Sequence, residues 1–180
     1  NTRLWKALIE NEFQVLGTDH CPFFYDGTTE IDYEGSPIAI PGKELGKDDF
    51  TKIPNGLPAV QDRLLILWTR AVSTGEMTPN QFVALTSTNA AKIFGLYPQK
   101  GTIAEGSDAD LVIWDPEKKI KYGVAQSHHR TDYNLFEGWE LIGYPEKVFL
   151  RGNLIVDGEE WHGKAGLGKF LHRVPNGEFI

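Results

Sequence analysis

The sequence predicts an α/β fold in which helices cover a parallel sheet, followed by a smaller region built from strands. Three observations lead to this prediction. A helical pattern near the start runs into a short apolar stretch bounded by Gly17, helical periodicity returns at residues 59–72, and strand patterns replace it after Gly101. A helix followed by a strand that is apolar on both faces is the repeating unit of parallel α/β folds.

The first helix is predicted over residues 2–10, because its apolar residues recur at helical spacing and its charged residues fall on the other side. Residues 13–16 then form an apolar run of the length expected for a strand buried on both faces. Pro22 prevents this strand from continuing. Polar side chains that directly follow such a strand lie at the carboxyl edge of the sheet, where active sites of these folds are built.

Further helices are predicted in the middle of the chain. Residues 59–72 carry a broad apolar stripe, which indicates a helix covered by more than one neighbour. Thr78 is expected to begin the next helix, since Gln81 completes a capping box with it. A third, short helix is expected to start at a cap within residues 87–89 and to run through Phe94. These helices are interpreted as packing elements without chemistry.

The remaining elements are a loop and several strands. Residues 25–46 contain many Gly and Pro residues without a sustained period, which predicts a long loop bordering the candidate site. Residues 111–114 are predicted as a strand that the Asp-Pro pair at 115–116 stops. Residues 148–156 are predicted as a hairpin whose two-residue turn is Gly-Asn at 152–153.

Bulk properties describe an ordinary soluble globular protein of 180 residues, with 41% hydrophobic and 24% charged residues. The net charge of -7 argues against a nucleic-acid surface, which needs clustered Lys and Arg. No apolar run approaches the ~20 residues that span a bilayer, so no membrane role is expected. A single cysteine excludes an internal disulfide framework, which favours a cytoplasmic location.

Asp19, His20 and Cys21 are the candidate catalytic or metal-binding side chains after the first predicted strand. Successive side chains of an extended chain point to opposite faces, so the three cannot grip one metal without a sharp bend. His20 is therefore expected to be hydrogen-bonded behind the site, and Cys21 to be a small buried residue. On the residues alone, an aspartate in this place is a cap or turn former about twice as often as a catalytic group.

Other candidates carry less chemical information. Asn55 stands in the turn sequence IPNG at residues 53–56, which reads equally well as a plain turn before the next helix. The adjacent pair His128 and His129 has no chelating spacing, and solvated or core-capping histidines are expected there. The histidines of the irregular tail over residues 161–180 show no ligand pattern either.

Four stretches in order carry a resemblance to a known family. They are TDHCPF at 18–23, KELGKDDF running into IPNG at 43–56, TSTNAAKIFGLYP at 86–98 and KGTIAEGSDADLVIWD at 100–115. Together they resemble the D-hydantoinase and dihydropyrimidinase group of the amidohydrolase superfamily, and they cover nearly the whole chain. The motifs HCPF at 20–23 and IPNG at 53–56 resemble this group more than the related dihydroorotases and allantoinases.

The resemblance implies a domain organisation. Residues 1–99 would be the C-terminal part of a metal-dependent (β/α)8 TIM barrel, residues 100–160 part of a small β-sandwich domain, and residues 161–180 an irregular tail at a subunit contact. A complete barrel takes roughly 250 residues, and the chain begins at Asn1 within a helical pattern. The sequence is therefore expected to be the C-terminal part of a larger protein.

The resemblance also implies the chemistry. The family holds two divalent metal ions, usually zinc, with a His-x-His motif, a carboxylated lysine, two more histidines and an aspartate. Only the aspartate has a counterpart here, which is Asp19, so the other ligands are expected upstream. In the family, a metal-activated hydroxide attacks the ring amide while the aspartate first accepts and then donates the proton. The role of Asn55 would be to contact the ring amide of the substrate, largely through its main chain.

The implied activity is hydrolysis of the ring amide of hydantoins or dihydropyrimidines to N-carbamoyl amino acids, by an enzyme that forms homotetramers or dimers. The small-molecule substrate would be a cyclic ureide or imide. The alternative is a non-catalytic, dihydropyrimidinase-related assembly or interaction protein. Such proteins have lost metal ligands, and the presence of Asp19 counts against that reading.

Overall fold

Helices and strands both contribute to the computed structural model, which describes residues 2–27 and 30–173. The chain forms two compact units. The first consists of Asn1–Leu16, Leu65–Lys119 and Ile142–Ile180, and the second of Gly17–Leu64 and Ile120–Leu141. Since each unit draws on separate stretches of sequence, neither corresponds to one continuous segment.

Each stretch predicted to be helical contains a helix, with two differences at helix starts: the helix predicted over residues 59–72 begins at Asp62, and the cap predicted within residues 87–89 is absent. They are α1 (Thr2–Ile9), α2 (Asp62–Leu67), α3 (Pro79–Val83) and α4 (Asn89–Ile93). A π-helical turn over Trp68–Val72 extends α2, and a second over Ala84–Thr88 joins α3 to α4. The capping box of Thr78 and Gln81 is present, because each side chain accepts a hydrogen bond from the other residue's backbone N–H.

The predicted helix start within residues 87–89 is wrong. Thr88 has right-handed helical backbone angles and makes no capping bond, so the helix runs through this position without a break. Its hydroxyl donates instead to the Gly101 carbonyl at 2.6 Å. A Ser-Thr-Asn sequence is typical of caps, but here a contact distant in sequence uses the hydroxyl and removes the capping signal.

A four-stranded sheet follows the helices, with the order β3 (Leu111–Lys121), β4 (Glu140–Leu150), β5 (Asn153–Asp157) and β6 (Glu160–Trp161). The predicted end of the first strand at residues 115–116 is wrong, since β3 continues through Pro116. This strand lies at the edge of the sheet, where a residue without an N–H is tolerated. β4, β5 and β6 pair antiparallel.

The hairpin between β4 and β5 is confirmed, but its turn is shifted by one residue from the prediction. The turn residues are Arg151 and Gly152, with φ values of 47° and 77°, and Asn153 already pairs with Leu150. Two successive positive φ values define the turn that suits the twist of a two-residue hairpin. The Gly-Asn pair therefore predicts where the hairpin lies but not which two residues form its turn.

The prediction of a long loop at residues 25–46 is wrong in part. This stretch contains an antiparallel hairpin of β1 (Glu30–Tyr33) and β2 (Ser36–Ala39), followed by a 3-10 turn over Lys43–Gly46. The hairpin turns at Glu34 and Gly35, both with positive φ. Its strands are mostly exposed, so they lack the apolar alternation by which a half-buried strand is predicted.

The predicted buried strand at residues 13–16 is also wrong. This stretch is neither helix nor strand, and the Phe13 side chain is 42% exposed. A strand of a parallel sheet needs a continuous ladder with a neighbour. In the described part of the chain, the feature most like such a ladder is a single parallel bridge between His20 and Leu57.

Three aromatic side chains form a cluster in the first unit. Trp68 packs against Phe82 and Trp114, with 5.2 Å between ring centroids in each case. Gly143 lies against this cluster, since a Cβ atom there would come within 2.2 Å of the Trp68 ring. Across the described residues, no helix has the length and apolar character needed to cross a membrane.

The tail expected over residues 161–180 is irregular as far as it is described. Trp161 ends β6, and residues 162–173 contain no helix or strand. The remainder of the expected tail, residues 174–180, lies outside the described residues.

Candidate functional site

The segment that carries Asp19 lies in the second unit and runs beside the turn that carries Asn55. His20 and Leu57 form a parallel bridge, and the Cys21 N–H donates to the Leu57 carbonyl at 3.2 Å. Asp19 precedes this contact and is exposed, with a φ of 48°. Aspartate tolerates this left-handed conformation better than most residues, because its short side chain can hydrogen-bond locally. The two sequence-predicted site residues therefore stand on neighbouring segments.

Gly56 permits this close approach. Its φ is 126°, and a Cβ atom at this position would come within 2.3 Å of the Cys21 carbonyl oxygen and 2.7 Å of the Cys21 Cβ. Only glycine fits such a conformation with a neighbouring backbone so near. Cys21 itself is exposed, so the expectation that it is buried is wrong.

His20 is held by backbone N–H groups. Its Nδ1 accepts hydrogen bonds from the N–H of Ala59 at 3.0 Å and of Val60 at 3.2 Å. Nδ1 must therefore be unprotonated, and the ring proton is assigned to Nε2 from these bonds. The prediction that His20 is hydrogen-bonded is confirmed, and its place behind a catalytic site stays a prediction.

His129 supports the same helix start. Its Nε2 accepts a hydrogen bond from the Gln61 N–H at 3.0 Å, and its ring lies 5.1 Å from that of His20. Burial lowers the pKa of His129. The nearby Asp62 carboxylate opposes this shift, and the neighbouring imidazoles of His20 and His128 add to it. The expectation of a core-capping histidine fits His129, and the exposed His128 fits the expectation of a solvated one.

Lys43 is a residue of this site that sequence reasoning missed. Its ammonium donates to the carbonyls of Pro54 and Gly56, at 2.8 Å each, and thus holds the main chain on both sides of Asn55. The ammonium also lies 5.8 Å from the centroid of the Phe23 ring. Lysines are solvated far more often than they bind distant carbonyls, and no local pattern distinguishes the two cases.

Carboxylates fix the segment that follows Asp19. Asp132 accepts hydrogen bonds from the N–H groups of Tyr25 at 2.6 Å and Asp26 at 2.8 Å. Glu44 accepts from the N–H groups of Gly27 at 2.8 Å and Gly42 at 3.1 Å. Backbone donors that would otherwise lack partners in a loop are thereby satisfied.

A metal pair requires more ligands than the described part of this chain brings together. Among residues 2–27 and 30–173, no three His, Cys, Asp or Glu side chains converge in a way that could hold a metal ion. Nδ1 of His20 and Nε2 of His129 face backbone N–H groups. The donor set therefore fits one ligand of a larger site, the exposed carboxylate of Asp19, and does not fit a complete one.

Comparisons with known proteins agree on the kind of protein. The chain is 44% identical to a D-hydantoinase of Geobacillus stearothermophilus over 177 residues, which are 98% of this chain and 35% of that protein. It is also 44% identical to a dihydropyrimidinase of Rattus norvegicus, again over 98% of this chain and over 31% of that protein. The chain thus spans about a third of the length of the curated relatives that it matches.

Solved structures give the same result. A crystal structure of D-hydantoinase from Bacillus sp. AR9 matches 99% of this chain and 36% of its own, with a TM-score of 0.87 and 44% identity. L-hydantoinase from Arthrobacter aurescens matches 96% of this chain with a TM-score of 0.77 and 31% identity. The model of the Amidohydrolase family matches residues 2–155, and the chain therefore belongs to the amidohydrolase family.

Proposed function

We propose that this chain is the C-terminal part of a zinc-dependent cyclic amidohydrolase that opens the ring amide of hydantoins or dihydropyrimidines. The products would be N-carbamoyl amino acids. The observation that carries the proposal is the exposed carboxylate of Asp19 on a segment adjoining the turn of Asn55. The relatives named D-hydantoinase and dihydropyrimidinase support the same substrate class, a cyclic ureide or imide.

Asp19 and Asn55 have distinct roles in this proposal. The Asp19 carboxylate is one ligand of a pair of divalent metal ions and moves a proton, accepting it on a carboxylate oxygen and donating it to the ring nitrogen that leaves. The metal pair supplies activation of water and of the amide carbonyl. The main chain at Asn55 binds the ring amide and orients it, and the remaining ligands, including a carboxylated lysine, come from an upstream part of the protein.

The proposed domain organisation follows the same relationship. Residues 1–99 belong to the C-terminal part of a TIM barrel, residues 100–160 to a small β-sandwich, and residues 161–180 to a subunit contact of a homotetramer or dimer. Similarity to D-hydantoinase structures supports the barrel assignment, and the antiparallel strands β4 to β6 are compatible with a sandwich. The single Cys21, a free thiol, agrees with a cytoplasmic location.

The test measures metal content and hydantoin ring opening on the full-length protein and on its Asp19→Ala variant. We expect about two zinc ions per chain in the wild-type protein, since a bridged pair is the family's metal centre. Asp19→Ala should abolish ring opening, because it removes both a ligand and the proton carrier. Asp48→Asn, a change at another exposed aspartate, is the matched control and should keep full activity.

The result also separates the enzyme from its alternative. A full-length protein without metal and without ring opening would contradict the proposal and leave the assembly or interaction protein standing. If the wild-type protein opens hydantoins and the Asp19→Ala variant keeps this activity, the result would contradict the role of Asp19 but not the proposed enzyme function.

A further inference from the structure

Lys43 connects the segment of Asp19 with the turn of Asn55. Two donors of its ammonium bind the carbonyls of Pro54 and Gly56, at 2.8 Å each, and these carbonyls belong to the residues directly before and after Asn55. The ammonium also lies over the ring of Phe23, which ends the motif that begins at Thr18. The Lys43 side chain therefore interacts both with the turn of Asn55 and with the segment of Asp19.

The backbone of Lys43 is itself fixed. Its N–H donates to the Phe24 carbonyl at 2.8 Å, and the carboxylate of Glu44 accepts from the N–H groups of Gly42 and Gly27. A lysine side chain is flexible and is usually solvated. Here the Lys43 backbone is anchored, and its ammonium makes two short, charge-assisted hydrogen bonds. These contacts favour one defined position of the side chain over a mobile one.

The turn of Asn55 is bounded on its other side by Cys21. The Cys21 N–H donates to the Leu57 carbonyl, and the Cα of Gly56 lies so close to Cys21 that no side chain fits between them. The main chain at residues 54–57 is thus held between the Lys43 ammonium and the Cys21 backbone. Removal of the Lys43 ammonium would remove one of these two constraints on the main chain.

We propose that Lys43 is a positioning residue that sets the main chain of Asn55 for binding the substrate's ring amide. This inference rests on the proposed function, in which the Asn55 main chain contacts that amide. Lys43 acts through the Pro54 and Gly56 carbonyls and touches no reacting atom. It sets affinity for the cyclic ureide, and metal binding does not depend on it.

The experiment compares Lys43→Met with Lys47→Met in the full-length protein, since Lys47 is an exposed lysine of the same segment. We expect Lys43→Met to raise KM for a hydantoin about tenfold, as loss of a charge-assisted hydrogen bond predicts, with kcat little changed. Metal content should stay at the wild-type level. Lys43→Arg keeps a cation with several donors and should recover most of the affinity.

A second measurement does not depend on activity. Gly56 covers one side of Cys21, so a loosened turn should let iodoacetamide alkylate Cys21 several-fold faster in Lys43→Met than in Lys47→Met, as followed by peptide mass spectrometry. Equal KM values for the two variants in an active enzyme would overturn the inference, and so would equal alkylation rates. A wild-type protein that opens no cyclic ureide would instead overturn the proposed function.

Discussion

At the scale of single residues, the buried carboxylate of Asp62 depends on one phenol. Asp62 and Tyr122 are each only 1% exposed, and the Tyr122 hydroxyl donates to Oδ1 of Asp62 at 2.6 Å. Burial, followed by the hydrogen bond to Asp62 and then by the Asp62 charge, raises the pKa of Tyr122, so the hydroxyl keeps its proton and remains a donor. Tyr122→Phe should lower the free energy of unfolding by about 1–3 kcal/mol, because it strands a buried carboxylate oxygen. Urea unfolding of the full-length protein measures this difference.

Tyr122→Phe leaves the ring in place, and two further variants test whether the lost hydrogen bond to Asp62 is responsible for the effect. Tyr33→Phe removes a hydroxyl from a side chain that is 58% exposed and should change stability by less than about 0.5 kcal/mol. Combining Tyr122→Phe with Asp62→Ala, which removes the acceptor, completes a double-mutant cycle, in which a coupling energy near zero would contradict the assigned hydrogen bond.

At the scale of elements, the sequence predicts helices better than strands. The helical regions are predicted from the spacing of their apolar residues and, at Thr78, from a capping box that the structure contains. The strand β3 runs past Pro116, and the hairpin of β1 and β2 lies in a stretch read as loop. The difference is physical, because a helix satisfies its hydrogen bonds locally while a strand depends on partners and on its place in the sheet.

The candidate site shows the same division. Asp19 and Asn55 can be chosen from the sequence because they lie within motifs that resemble a family. Lys43 also lies within such a motif, but the resemblance implies no role for it, and its two carbonyl partners are set by how residues 43–56 fold back on themselves. His129 is similar, because its partner Gln61 is distant in the sequence.

The start of α2 predicts a dependence of stability on pH. The N–H of Gln61 needs an unprotonated Nε2 on His129, and burial lowers the pKa of His129 below its ordinary 6.5. The unfolded chain therefore binds this proton more readily than the folded one, so the contribution of His129 is complete above about pH 6.5 and declines as pH falls toward the lower folded pKa. Unfolding free energies of the full-length protein between about pH 5 and about pH 8 measure the slope.

Replacing His129 with a side chain that does not titrate isolates its contribution to the pH dependence of stability. His129→Gln offers a carbonyl oxygen that accepts a hydrogen bond without titrating, so the fall in stability below pH 6.5 should become shallower. His128→Gln changes an exposed neighbour and should leave the slope nearly as it is. Equal slopes for the wild type and His129→Gln would show that the helix start does not depend on this imidazole.

At the scale of the whole molecule, the proposed site residues all belong to the unit formed by Gly17–Leu64 and Ile120–Leu141. The segments that carry Asp19 and Asn55 are joined by backbone contacts within this unit, and Lys43 adds hydrogen bonds to the turn of Asn55. Among the described residues of this unit, no three His, Cys, Asp or Glu side chains converge to hold a metal ion, and Asp19 is the one ligand that the proposal places there. In the proposed enzyme, metal binding would therefore tie this unit to ligands elsewhere in the full-length protein.

That link predicts a response of the full-length protein to metal removal. A ligand that binds the folded state alone stabilises it by about 2.7 kcal/mol at one hundred times its dissociation constant. A chelator should therefore lower the melting temperature of the wild-type protein by several degrees, and by clearly less in Asp19→Ala, which lacks one ligand. Asp48→Asn should respond as the wild type does. If the wild type and Asp19→Ala lost the same number of degrees, Asp19 would not be a metal ligand, even in an enzyme that needs metal.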